Sequence, residues 1–289
     1  MQLKWSNKAA YWRLARADKP IGIYLLLWPT IWALLLASNG YPAWDITLVF
    51  ILGVIVMRSA GCVINDYADR NIDGKVARTL NRPLVSGDVT AREALELFAL
   101  LILIAFVLVL FLNWQTVALS FVALLLASAY PFMKRYTHLP QVVLGAAFSW
   151  SIPMAFMATQ SNLPAWIWLV YAANLAWTVA YDTQYAIVDR DDDIDVGVKS
   201  TAILFGRYDL LIIAILQATT IFLLIEVGRL LQLNMFFYGG LTGAFLLFCK
   251  QAWNTRKREP QACFKAFLQN HQVGMMIAIG VATAYWTEV

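Results

Sequence analysis

Nine stretches of this chain are each apolar for long enough to cross a lipid bilayer, near 21–37, 46–65, 94–112, 115–132, 140–158, 164–185, 209–228, 234–252 and 272–287. A helical span needs about 20 such residues. Across the 289 residues 61% are hydrophobic and only 14% are charged, too little polar surface for a soluble domain. The expectation is an all-α polytopic membrane protein, a bundle of nine transmembrane helices forming one domain over 1–289, with the lipid bilayer as its surroundings. The run from Ile21 follows five basic residues without a small-residue cleavage site, so it reads as a retained span, and the mature chain is expected to start at Met1.

Charge placement orients the bundle. With nine crossings, the start of the chain and the connections around 66–93, 133–139, 186–208 and 250–271 hold all of the 22 basic residues except Arg58 and Arg229. Lysine and arginine concentrate on the cytoplasmic side. The amino terminus is therefore expected inside and the carboxyl end, near Glu288, outside. Cys62, Cys249 and Cys263 show no metal-type spacing, and His138 and His271 stand alone, so neither zinc nor a disulfide framework is indicated. Nothing points to a nucleic-acid partner.

The second span ends in Asn65-Asp66-Tyr67-Ala68-Asp69-Arg70-Asn71-Ile72-Asp73. On a continuing helix Asn65, Asp69 and Asp73 advance roughly 40° per step and line one face over about 12 Å. Carboxylates so close raise each other's proton affinity unless a cation sits among them. Hard oxygen ligands used sparingly, with phosphate completing the shell, describe Mg²⁺ better than Ca²⁺ or zinc. The sixth span ends in a second acidic cluster, in which Asp182, Asp189 and Asp193 fall near one helical face, with Asp191, Asp192 and Asp195 close by. Each cluster follows an even-numbered span at its cytoplasmic end. That placement predicts two four-helix halves facing each other across a shared central apolar cavity open to the cytoplasmic side, plus a ninth helix.

Cations accompany the acids. The 66–93 connection carries Lys75, Arg78 and Arg82-Pro83, and Thr90-Ala91-Arg92-Glu93 reads as a capping box opening the third span. Between the fourth and fifth spans Tyr130 and the pair Lys134-Arg135 sit at the membrane face. The last three spans contain few polar residues and are expected to be scaffold. Acids at span ends, rather than at the bilayer midplane, argue against a transporter, and the dense Asp-Gly signature of a CDP-alcohol phosphotransferase is missing.

Two acidic ladders and several cations on one face of a membrane bundle suit a substrate that is anionic at one end and greasy at the other, such as a polyprenyl diphosphate. Two Mg²⁺ ions among the ladders would draw off charge as its C1–O bond breaks. Lysine and arginine would hold the remaining oxygens. The allylic cation left behind needs a dry, aromatic-lined cavity and an electron-rich acceptor.

At these residues the chain resembles the UbiA-type intramembrane aromatic prenyltransferases. Asn65-Asp66-x-x-Asp69-x-x-x-Asp73 matches their first motif, Asp189-x-x-x-Asp193 their second, and Tyr130-x-x-x-Lys134 their tyrosine-lysine motif. Within the family it is most similar to the bacterial 4-hydroxybenzoate polyprenyltransferases, through Asp18-Lys19-Pro20-Ile21-Gly22, Asn81-Arg82-Pro83-Leu84 and Tyr181-Asp182-Thr183-Gln184-Tyr185. The resemblance implies a Mg²⁺-dependent enzyme of the bacterial inner membrane that moves a long prenyl chain onto the carbon ortho to the hydroxyl of 4-hydroxybenzoate, in ubiquinone synthesis. A family member with another aromatic or naphthoate acceptor is the alternative. The implied metal ligands are Asn65, Asp69, Asp73, Asp189 and Asp193, although Asp192 lies within a helical turn of Asp189 too. Asp182 is expected to contact the acceptor or a motif residue. Lys19, Arg82, Tyr130, Lys134 and Arg135 are the expected substrate-binding residues.

A benzoate in an apolar cavity needs its carboxylate paired. Arg58 is the basic residue lying well within a predicted span, two helical turns before Asn65 and about 10 Å deeper. It is the expected partner of that carboxylate, against the alternative of a structural pairing to a neighbouring acid or carbonyl.

Overall fold

The structure, a computed structural model, describes residues 3–71, 73–75 and 79–287. Arg78 and Glu288 lie outside the described residues, within which every regular element is helical. The helices are α1 (Lys8–Leu14), α2 (Ile21–Ala37), α3 (Trp44–Asp69), α4 (Ala91–Val109), α5 (Trp114–Met133), α6 (Pro140–Ser149), α7 (Ser151–Gln160), α8 (Ile167–Val188), α9 (Arg190–Val196), α10 (Thr201–Phe205), α11 (Asp209–Leu230), α12 (Met235–Thr255) and α13 (Pro260–Trp286). Among the described residues four helical segments, Trp44–Asp69, Trp114–Met133, Pro140–Gln160 and Thr201–Leu230, are long and apolar enough to cross a membrane, and Ile21–Ala37 is a shorter apolar helix.

Two helices depart from the expected course. The stretch 140–158 is interrupted at Trp150, which divides it into α6 and α7. Pro153 has no N–H to give the Ser149 carbonyl, and the Trp150 N–H tightens onto the Ala147 carbonyl at 3.3 Å. The first acidic ladder does not continue on one helix either. α3 stops at Asp69, and Asp73 opens a short 3₁₀ turn, Asp73–Lys75. Asp73 is held there by Arg82, and its carbonyl accepts the Thr79 hydroxyl at 2.6 Å.

The core is aromatic and small. Trp32 of α2 stacks on Trp177 of α8 with ring centroids 5.3 Å apart, and its indole N–H donates to the Gly274 carbonyl at 2.8 Å. α12 and α13 meet at Gly240 and Gly280, where a Cβ on Gly240 would lie 2.7 Å from the Gly280 Cα. Such backbone approach replaces the hydrophobic drive that lipid does not provide. The last three long helices, expected as apolar scaffold, also hold a buried amide network. Gln184 and Gln217 donate to Gln251 Oε1 at 3.1 and 3.2 Å, Asn270 donates to Gln184 at 2.9 Å, and Trp177 donates to Asn270 at 2.9 Å. Each bond in such surroundings contributes roughly 0.5–2 kcal/mol.

The amino-terminal segment folds onto the start of α4. Thr90 and Glu93 form the expected capping box. Glu93 also accepts from the Tyr11 hydroxyl at 2.8 Å and from Asn7 at 3.1 Å, while Ala10 and Leu14 pack on Val63, Val89 and Ala94. This docking sets Arg16 beside the end of α3.

Candidate active site

The carboxyl-terminal ends of α3, α5 and α8 converge on one cavity of about 1340 Å³. Asn65, Asp69, Asp73, Arg82, Tyr130, Lys134, Asp182, Asp189, Asp193, Arg58 and Lys19 all line it. Asp191, Asp192 and Asp195 are not among its lining residues. Its flank between α4 and α5 is apolar, with Phe98, Ile102, Phe106, Phe121 and Leu124.

At the first motif the acids are buried and matched by cations. Lys134 donates to Asp69, tying the end of α5 to the last turn of α3. Arg82 reaches both Asp73 and, at 3.1 Å, Asp66. Arg16, at a left-handed φ of 56° that costs a non-glycine residue about 1 kcal/mol or more, places its guanidinium on both oxygens of Asp66 at 3.0 and 3.1 Å. Burial pushes the Asp73 carboxyl up to about 6, against the opposing pull of the Arg82 guanidinium. Asn65 donates to Asp69 Oδ2 at 3.3 Å.

Sequence reasoning assigned no role to Asp66, Tyr185 or Lys199, and to Arg16 only that of an alternative partner for the acceptor carboxylate, yet all four line the cavity. Asp66 falls off the four-residue period of the ladder, and nothing in the order of residues ties Arg16 to it. Arg135 is placed elsewhere. Its guanidinium donates to the Ala68 carbonyl and lies 5.8 Å from the Phe132 ring centroid, so it caps the end of α3 instead of lining the cavity.

The second cluster is shaped by an interruption. α8 ends at Val188, Asp189 takes φ −97° and ψ 2°, and α9 begins at Arg190. The Asp193 N–H still donates to the Asp189 carbonyl at 2.8 Å, which keeps the two acids one turn apart.

Arg58 projects from α3 into the cavity. It donates to the Cys62 sulfur at 2.9 Å, lies 5.8 Å from the Phe148 ring centroid, and makes no ion pair with a carboxylate among the described residues. Its Nε is buried without a hydrogen-bond partner. Gly22 makes room for it, since a Cβ there would lie 2.3 Å from that Nε.

The donor set fits a hard divalent cation. It consists of carboxylate and carboxamide oxygens, and Asp69 Oδ1 is buried without a hydrogen-bond partner. Among the described residues no three acidic, histidine or cysteine side chains already form a ligand cage. Asp69 and Asp73 are instead held by Lys134 and Arg82.

The sequence profile described as the UbiA prenyltransferase family matches residues 26–278. A protein of Pseudoalteromonas atlantica named 4-hydroxybenzoate octaprenyltransferase is 61% identical over 276 residues, covering 96% of this chain and 97% of the relative. One of the same name from Enterobacter is 58% identical over 289 residues, covering 99% of this chain and 100% of the relative. Among solved structures, the apo form of a UbiA homolog from Aeropyrum pernix superposes with a TM-score of 0.79 at 27% identity, covering 91% of this chain and 97% of that one. A UbiA homolog from Archaeoglobus fulgidus, bound to GPP and Mg²⁺, shares the fold with a TM-score of 0.75 at 17% identity, covering 95% and 99%.

Proposed function

The chain belongs to the UbiA prenyltransferase family, and from that premise we infer that it is a 4-hydroxybenzoate polyprenyltransferase of ubiquinone synthesis. It transfers a polyprenyl group from polyprenyl diphosphate to the ring carbon ortho to the hydroxyl, giving 3-polyprenyl-4-hydroxybenzoate and diphosphate. Octaprenyl is the group named for its relatives. The observation that carries this reading is the one cavity lined by both acidic motifs, the motif lysine, an arginine with no carboxylate partner among the described residues and a long apolar flank.

Asn65, Asp69, Asp73, Asp189 and Asp193 would hold Mg²⁺, which when bound supplies positive charge to the diphosphate leaving group. Lys134, Arg82 and Lys19 hold the remaining phosphate oxygens, with Lys134 and Arg82 passing their hydrogen bonds from Asp69 and Asp73 to the substrate. As the C1–O bond breaks, its electron pair leaves on diphosphate. The apolar flank between α4 and α5 takes the prenyl tail and keeps water from the allylic cation. Arg58 pairs with the carboxylate of 4-hydroxybenzoate, turning the ring's hydroxyl edge toward the acids. The ring π electrons form the new C–C bond, and the proton displaced from that carbon passes to Asp182, which lines the cavity one turn before Tyr185 on α8. Tyr130 borders the cation, where an electron-rich ring is favourable. Arg135 acts indirectly, by fixing Ala68 and with it the end of α3.

The bundle would cross the bacterial inner membrane nine times, as two four-helix halves plus α13. Its cavity would open to the cytoplasm, with the amino terminus inside and the carboxyl end outside. The basic connections support this orientation.

Product analysis tests the reaction. Purified protein with 4-hydroxybenzoate, octaprenyl diphosphate and Mg²⁺ should give one product prenylated at C3 by NMR. Prenylation at oxygen, or transfer only to a naphthoate acceptor, would contradict the reading.

A further inference from the structure

We propose that Asp209 is a positioning residue for the second acidic cluster, holding the Arg190 guanidinium away from the metal site of Asp189 and Asp193. The inference rests on the reading of those two acids as metal ligands.

Arg190 immediately follows Asp189 and precedes Asp193 by three residues on α9, a spacing at which side chains on a helix meet. A long cation there is poised to pair with either acid and compete with a divalent ion. Asp189 and Asp193 line the cavity, yet Arg190 does not. Its Nη2 is bonded instead to Asp209 Oδ2, at the first residue of α11.

Asp209 is built to keep that hold. It is fully buried. Its other oxygen accepts from Arg258 Nη2 at 2.8 Å and Nε at 2.9 Å, and from its neighbour's backbone, the Leu210 N–H, at 2.6 Å. Arg258 is fixed in turn on the Arg207 carbonyl at 2.9 Å. The carboxylate therefore cannot swing toward solvent, and Arg190, whose Nε is buried without a hydrogen-bond partner, has this anion as its anchor. A bond that served only to join α11 to the α12–α13 connection would need Arg258 alone. The Arg190 arm instead clears a cation from an anionic site.

Mn²⁺ titration of the purified protein in detergent, read by the EPR signal of free Mn²⁺, tests the proposal. Asp189→Ala is measured first. If it loses no bound Mn²⁺, the metal reading itself fails. If it does, Asp209→Asn should raise the half-saturating Mn²⁺ concentration by at least about tenfold, the order expected from one like charge released beside a partly hydrated site. Asp209→Asn combined with Arg190→Gln should return it to the wild-type value, which repair of a purely structural defect would not do. An unchanged Mn²⁺ affinity in Asp209→Asn, or a double variant as weak as the single, would overturn the proposal. Should Asp209→Asn not accumulate, Arg190→Gln alone decides. Equal or tighter Mn²⁺ binding supports the sequestering role, and weaker binding overturns it.

Discussion

Lys134, at the end of α5, donates to Asp69, in the last turn of α3, so that the tyrosine-lysine segment and the first acidic motif meet in a single contact. The other Asp69 oxygen is left without a hydrogen-bond partner inside the cavity wall. A carboxylate with one oxygen neutralised and the other bare is arranged to exchange partners when substrate and metal arrive.

Asp69→Ala and Asp189→Ala should each lower turnover at least about a hundredfold, the scale of losing a group that stabilises developing charge. Both proteins should still insert and purify like wild type, because neither side chain fills the apolar core. Near-normal turnover of either variant at limiting Mg²⁺ would remove that residue from the ligand set.

Lys134→Ala should raise the half-saturating concentration of the prenyl diphosphate about tenfold, the loss of one charge-assisted contact of roughly 1.4 kcal/mol, with little effect on 4-hydroxybenzoate. Arg135→Ala, acting through the Ala68 carbonyl, should weaken both substrates together. Steady-state kinetics with each substrate varied in turn separates the two patterns.

Arg58→Leu should raise the half-saturating concentration of 4-hydroxybenzoate strongly and leave that of the prenyl diphosphate nearly unchanged. The neutral 4-hydroxybenzamide should lose far less than the acid. Equal losses for acid and amide would make Arg58 structural and send the search for the carboxylate's partner to Lys19 or Arg16, which also line the cavity.

Gly22→Ala should reproduce a milder form of the same defect, because the new Cβ would occupy the space of Arg58 Nε. The flexible guanidinium can shift, so the protein should fold, with affinity lost for the acid and not for the amide. Selectivity between those two acceptors is the quantity to measure.

Glu93→Ala removes a capping box and the anchors of Tyr11 and Asn7 together. A lost cap costs about 1 kcal/mol, and backbone amides of residues 8–16 should exchange with deuterium faster than in wild type while those of α12 do not. Loosening that segment also frees Arg16 from Asp66, so turnover should fall without loss of the bundle.

Much of this arrangement could be read from residue order, because apolar length and charge placement are local properties. Each of the nine apolar stretches lies largely on α-helix, the Thr90–Glu93 cap is present, and every expected metal ligand borders one cavity. Breaks within helices were harder to see. The break at Trp150 depends on the N–H that one proline lacks, and the end of α3 at Asp69 depends on Arg82 and Thr79 arriving from further along the chain. Tertiary ion pairs were not legible at all. Arg16 with Asp66 spans 50 residues and Arg258 with Asp209 spans 49, and no periodicity encodes either. Gln217, Gln251 and Asn270 are isolated amides in apolar runs, and only packing shows that they join Gln184 in one network.

The most direct test of the central claim is incubation of membranes carrying the protein with ring-labelled 4-hydroxybenzoate and a polyprenyl diphosphate, with and without Mg²⁺. The account predicts label in the lipid-extractable fraction when Mg²⁺ is present, and none after chelation or in Asp189→Ala membranes. Incorporation that persists without divalent metal, or no incorporation with both substrates and Mg²⁺ supplied, would contradict it.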